Sequence, residues 1–205
     1  VDFAARPIPT SGSVSFEAWF NAPSGGAASR VWDLGDHNNT SGSGLKYIYF
    51  SPHGSGADTQ FIVSDSDPGF NHEQGVLLPG KLDNGVTHYI AAVLDSSAGQ
   101  MRLYIDGGAA TTNGLSISLS ALSDQISYLG KSLYNGDALL SGTIDEFRIY
   151  NSALVLADVQ KNFLLGPDNA VPEPGGCFCW RFLRSPLAPS GSAASRRWRC
   201  LAVVF

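Results

Sequence analysis

Asp124-Gln-Ile-Ser-Tyr-Leu-Gly-Lys-Ser-Leu-Tyr-Asn-Gly-Asp-Ala-Leu-Leu-Ser-Gly-Thr-Ile-Asp-Glu-Phe-Arg-Ile-Tyr150 decides how the chain is read. Two short apolar runs, 126–130 and 143–150, flank a polar loop with Gly at its bends, and a helical pattern follows directly. Over 156–165 the apolar residues Leu156, Val159, Phe163 and Leu164 recur at spacings of three and four, which predicts one amphipathic helix, stopped by Gly166-Pro167.

Upstream, the same strand signals repeat. Residues 13–21 alternate, with Val14, Phe16, Ala18 and Phe20 on one face and Ser15, Glu17 and Trp19 on the other. Further strands are predicted over 30–34, 45–51, 60–64, 88–95 and 101–106, separated by Gly/Pro/Ser/Asp turns. The run 88–95 is apolar on both faces, as a strand covered on both sides requires. No amphipathic helices intervene, so a βαβ protein is excluded and the expected fold is an all-β, two-sheet antiparallel sandwich.

Charge divides the chain. Residues 1–170 carry 8 basic and 17 acidic side chains, whereas 171–205 carry 5 Arg and a single Glu. An acidic globular part repels phosphate backbones and anionic lipid, so nucleic acid is not an expected partner. Cys177, Cys179 and Cys200 all fall in the basic tail, which leaves the domain without a thiol. No run of 18 apolar residues spans a membrane, and the first residues do not read as a secretory leader.

Taken in order, the phrases Val-Ser-Phe-Glu-Ala-Trp-Phe (14–20), Arg-Val-Trp-Asp-Leu-Gly (30–35), His-Tyr-Ile-Ala-Ala-Val-Leu-Asp (88–95), Met-Arg-Leu-Tyr-Ile-Asp-Gly (101–107) and the closing hairpin resemble the laminin G-like, concanavalin A-type jelly-roll family. The resemblance implies a jelly roll over 1–168 with one further strand before Val1, leaving 143–150 with an open edge. It also implies a non-catalytic binding or adhesion module of an exported protein, with carbohydrate or an extracellular protein as ligand. In such domains a structural Ca²⁺ can sit between the last strand and carbonyls near the N-terminus, which makes Asp145 a candidate ligand. Val171-Pro-Glu-Pro174 resembles the start of a bacterial Pro-Glu-Pro sorting signal, although the apolar span is broken by Arg181, Arg184, Pro186 and Pro189. Residues 169–205 are accordingly expected to be a linker and disordered tail.

The residues themselves offer several sites. Asp33, Asp36, His37 and Asn38 form the densest oxygen cluster and Asp65 and Asp67 the next; each reads as a solvated turn or a cation site, and neither has the spacing of an EF-hand loop. Trp19 and Trp32 alternate within strands and read as core, whereas Phe70 and Tyr134 lie in polar loops, where an exposed ring can stack on a sugar. The expected ligand-binding set is therefore Asp36, His37, Asn38, Asp65, Asp67, Phe70 and Tyr134, with Asp145, Asp33 and Asp36 as candidate Ca²⁺ ligands. The alternatives are a fragment of a glycan-degrading enzyme and a purely structural surface module without ligand. A retaining glycosidase needs two carboxylates about 5 Å apart; strict alternation over 143–150 puts Asp145 with Thr143 and Phe147, and Glu146 with Ile144 and Arg148, so no acid pair results. The remaining charges are expected to pair across strands, Glu146 or Glu17 with Arg148 or Arg102.

Overall fold

A computed structural model describes residues 7–23 and 26–169, together with the backbone of 201–203. The strands are β1 (Val14–Asn21), β2 (Trp32–Asn38), β3 (Ser43–Ser51), β4 (Asp58–Ser64), β5 (Glu73–Pro79), β6 (Thr87–Asp95), β7 (Gln100–Ile105), β8 (Thr111–Gly114), β9 (Ile126–Leu129), β10 (Thr143–Tyr150) and β11 (Leu201–Val203), with one helix, α1 (Leu156–Leu165). They form two sheets, β11-β10-β1-β6-β7-β8 and β5-β4-β3-β2-β9, antiparallel throughout except for the pairing of β11 with β10. Among the described residues no helix is long and apolar enough to cross a membrane.

Alternation within the strands builds the core. Phe16, Phe20, Trp32, Phe50, Phe61, Ile90, Leu94 and Phe147 all point between the sheets and are fully buried. Trp32 stacks across the gap on Phe16 at 5.7 Å and, within its own sheet, on its strand partner Phe50 at 5.1 Å, separations at which aromatic pairs add to simple burial.

The second face of the six-stranded sheet is covered as well, which explains the apolar-on-both-sides reading of β6: Tyr89, Ala91 and Val93 pack beneath Leu154 and Val159. Trp19 stacks on Phe163 at 5.7 Å. Under the helix the Glu17 carboxylate accepts from Tyr89, Tyr150 (2.7 Å) and Asn162 (2.7 Å), and Arg148 stands 3.6 Å away. Burying that charge is tolerable only because every neighbour is a donor. Glu17 holds α1 on the sheet, and the buried stripe of the helix accordingly runs through Val159 and Asn162, with Phe163 half-buried. Leu156 and Leu164, expected on that stripe, are exposed, Leu164 at 82%.

Four further expectations are corrected. The alternation of β10 breaks at a bulge, where Trp19 pairs with Glu146 and Phe20 with Ile144, leaving Asp145 as the extra residue. Ile144 and Phe147 both reach the core while Glu146 lies on the helix side with Arg148, so Ile144 and Glu146 do not share a face. Arg148 pairs with both glutamates, and Arg102 pairs instead with Asp95 at 2.6 Å. The run 35–44, expected as one loop, belongs largely to β2 and β3. Gly35 sits where their register shifts, and a Cβ there would lie 2.7 Å from Tyr47 Cβ and 2.9 Å from the Leu45 carbonyl. Finally, β10 has a second neighbour: β11, from the tail expected to be disordered, adds in parallel along Phe147–Ile149, because an edge of unpaired N–H and C=O groups is a template for any extended segment. The Pro-Glu-Pro phrase and Cys177, Cys179 and Cys200 lie outside the described residues.

Candidate functional site

The outer face of the five-stranded sheet is where the polar loops meet. Tyr47 and Tyr49 project outward from β3, opposite the core-facing Ile48 and Phe50, and form a cluster with Ile62 and Leu133. The long loop between β9 and β10 runs back over β2, tied at one end by the Gly130 N–H to the Val31 carbonyl (3.0 Å) and at the other by the Asn135 N–H to the Gly42 carbonyl (3.0 Å). Midway, Asp33 accepts from the Leu133 N–H at 2.9 Å and the Ser132 hydroxyl at 3.4 Å.

A second loop arrives from β4. It turns through a single 3-10 turn, Gly69–Asn71, and Gly69 lies flat against the Tyr47 ring, where any Cβ would clash with ring carbons. Phe70 is thereby held outward, 59% exposed. The Phe70 N–H bonds the Tyr134 hydroxyl, which donates to the Tyr47 hydroxyl (3.2 Å), which donates in turn to Glu73. Burial, reinforced by the Glu73 contact, pushes the Tyr47 phenol far above its ordinary range, and burial also raises Tyr134; both therefore remain neutral donors at any physiological pH.

The third loop joins β2 to β3. His37 Nδ1 lies 2.6 Å from the Leu133 carbonyl, the Asp36 carboxylate accepts from the His37 N–H (2.8 Å), and the Asn38 side chain accepts from Thr40 and Ser41. Asp65 pairs with His72 at 2.5 Å, and Asp67 is exposed beside them. Of the expected ligand-binding residues, Phe70 and Tyr134 thus meet directly, His37 and Asn38 join them through the Leu133–Asn135 segment, and Asp36 is occupied as a turn acceptor. Tyr47, one of the strand aromatics that the sequence offers for stacking, completes the rim with Glu73, His72 and Asn135, and these last three were not anticipated. Glu73 opens a strand whose pattern is weak, and the Tyr47–Glu73 contact joins residues 26 apart.

The candidate Ca²⁺ ligands are not gathered. Asp33 is fully buried with its Oδ2 turned to Leu133, Ser132 and Arg30, Asp36 caps its own turn, and Asp145 occupies the bulge on the other sheet. Among the described residues no three His, Cys, Asp or Glu side chains converge, whereas a hard cation requires six to eight oxygens. Asp145 and the Asp33–Asp36 pair are thus two separate candidates, on different sheets.

Carboxylates near the helix are equally committed. Glu146 bonds Arg148 at 2.6 Å and accepts from the Asp168 N–H (3.1 Å), and Glu17 is 1% exposed beneath α1.

Two antiparallel sheets packed face to face, with their loops gathered over one outer face, define a jelly-roll sandwich. The chain belongs to the concanavalin A-like lectin/glucanases superfamily, whose family model matches residues 1–160. No curated protein matches it in sequence. Among solved structures, it is similar to the CBM40 of the IT-sialidase of Ruminococcus gnavus bound to α2,3-sialyllactose (11% identity over 74% of this chain and 83% of that one, TM-score 0.59). It is also similar to domain 4 of AbnA, a GH43 extracellular arabinanase from Geobacillus stearothermophilus, in complex with arabinotriose (20%, 76% and 68%, TM-score 0.56). Mouse laminin α1 chain domains LG4-5 match at 11% identity over 77% of this chain and 40% of that one, with a TM-score of 0.55. At these identities the likeness is one of fold.

Proposed function

We propose that this chain is a non-catalytic binding module of an exported protein and that it takes a carbohydrate on the rim formed by the 38–42, 65–73 and 133–135 loops. The observation that carries the reading is Phe70: a large apolar ring held 59% exposed by a turn locked onto Tyr47, beside Tyr134. A ring fixed before the ligand arrives gives a pyranose or furanose face a surface to stack on without an ordering cost. Asn38, Asp65, His72 and Asn135 around it supply the hydrogen-bonding groups that sugar hydroxyls need. Two of the similar domains are described with an oligosaccharide bound, which agrees with this choice of ligand.

The pairing of the acids near the helix supports binding over cleavage. Glu17 and Glu146 share Arg148 and lie under the helix rather than in an open cleft, and Asp145 is isolated at its bulge. Native electrophoresis through gels containing neutral polysaccharides tests the proposal. The full chain is expected to be retarded by at least one, Phe70→Ala to run free at an unchanged melting temperature, and no reducing ends to appear. Equal migration of both proteins in every gel, or release of reducing ends, refutes it.

A further inference from the structure

A second concavity lies at the sandwich end where β1 begins. It measures about 570 Å³ and is walled by the 10–12 segment leading into β1, by Ser96 in the turn between β6 and β7, and by the 115–120 segment after β8. That volume falls within the ~300–1,000 Å³ of small-molecule sites. The 115–120 segment alternates: Ile117 and Leu119 are 4% and 3% exposed in the core, while Ser116, Ser118 and Ser120 face out. With Thr10, Ser11 and Ser96, the walls carry six hydroxyl side chains and no charged one.

These walls are fixed in advance. Gln74 clamps one, its Oε1 accepting from the Ser116 N–H (2.8 Å) and the Ile117 N–H (3.2 Å) while its Nε2 donates to the Ser116 hydroxyl at 2.5 Å. Ser116 therefore keeps its own proton to donate elsewhere. The Ser96 N–H is held by Ser13 at 3.1 Å. An ion or phosphoryl group would find no counter-charge here, and an apolar ligand would leave the hydroxyls unpaired. A neutral polyhydroxylated chain meets neither obstacle, since each of its hydroxyls donates and accepts as serine does. Gln74 also directly follows Glu73, the acceptor of Tyr47 in the loop rim, so two consecutive residues at the start of β5 are bonded one to the rim and the other to the groove wall.

From this geometry we infer that the serine-lined groove is a second subsite for a neutral glycan chain, which continues into it from the loop rim across the start of β5. The inference rests on the carbohydrate reading of the rim. Amide NMR spectra of the labelled full chain, titrated with disaccharides and hexasaccharides of β-1,3-glucan, xylan and α-1,5-arabinan and with hexagalacturonate, test it. Amides of Ser96, Ser116, Ser118 and Ser120 are expected to shift with a neutral hexasaccharide and not with hexagalacturonate. Ser116→Trp and Ser96→Trp, from opposite walls, are expected to weaken the hexasaccharide about tenfold or more while leaving the disaccharide within about twofold, each at an unchanged melting temperature. Shifts confined to 69–73 and 133–135 would overturn the groove and leave the rim standing. Shifts confined to the groove would support the subsite and overturn the rim. An undiminished hexasaccharide affinity in both variants, or no shift with any sugar, would overturn the inference.

Discussion

Raising the pH from 4.5 to 8 should cost the wild-type domain stability, with Asp33 making the largest contribution. Asp33 is fully buried between β2 and the loop that carries Tyr134, and one of its oxygens has no hydrogen-bond partner. Burial pushes its carboxyl up to about 7 from 3.8, against the opposing pull of Arg30, the Leu133 N–H and Ser132. Asp137 adds a second negative charge, 3.5 Å from the same arginine. Because the folded carboxyl holds its proton more tightly than the unfolded one, the native state carries the extra proton between pH 4 and 7. Stability contributed by this group is therefore fully present below about pH 4, falls as pH rises through that window, and is level above it. At about 1.4 kcal/mol per pH unit, the rise from 3.8 to about 7 corresponds to about 4 kcal/mol as an upper figure. Glu146 is also raised by burial and contributes in the same direction, whereas at Asp95 burial is outweighed by Ser97, the Ala98 N–H and Arg102, which lower it. The comparison is accordingly made against Asp33→Asn, which removes the proton without removing the acceptor for Leu133. Urea unfolding followed by tryptophan fluorescence at pH 4.5, 6, 7 and 8 gives both curves. The variant should gain on the wild type by a few kcal/mol between the ends of the range. A constant difference across all four values would refute the burial argument.

Further consequences can be checked with the same unfolding measurement. Glu17→Ala leaves Tyr89, Tyr150, Asn162 and Arg148 without their shared acceptor and should cost about 3–5 kcal/mol, the usual result of orphaning a buried charge; a cost below about 1 kcal/mol would show that the helix is held by packing alone. Gly35→Ala, with its Cβ driven against Tyr47, Leu133 and the Leu45 carbonyl, should destabilise by about 1–3 kcal/mol, and a neutral result would mean that the bulge relaxes. Melting in Ca²⁺ and in chelator should give the same midpoint, because no three His, Cys, Asp or Glu side chains converge among the described residues; a higher midpoint in Ca²⁺ would reveal an ion bound to the folded state.

Strands whose side chains alternate between core and a second surface were readable from the chain alone. β1, β3, β6, β7 and β10 carry that signal in Phe16, Phe20, Ile48, Phe50, Ile90, Leu94, Leu103, Phe147 and Ile149. β5 and β8 do not. β8 is Thr-Thr-Asn-Gly, exposed along its whole length, and β5 contains Gly75, ends in Pro79 and leaves Leu77 in solvent; both lie at sheet edges, where pairing with one neighbour replaces burial as the reason to be extended. The bulge at Asp145 was hidden for a related reason, since period two is assumed until a pairing partner shows otherwise. At the candidate site, loop composition pointed to Phe70, which is exposed, and to Tyr134, whose ring is half-buried against Tyr47. Nothing local announces the hydrogen-bond chain from Tyr134 through Tyr47 to Glu73, because its members are brought together by the packing of Gly69 and by a loop 87 residues downstream of Tyr47.

Fluorescence anisotropy and product length, read from one tube of full-length chain and end-labelled neutral hexasaccharide over a prolonged incubation, bring the central claim to a point. A rise in anisotropy that Phe70→Ala abolishes, with the labelled chain still six units long at the end, is the predicted result. Shortening of the labelled sugar, or a rise in anisotropy that Phe70→Ala leaves intact, would contradict it.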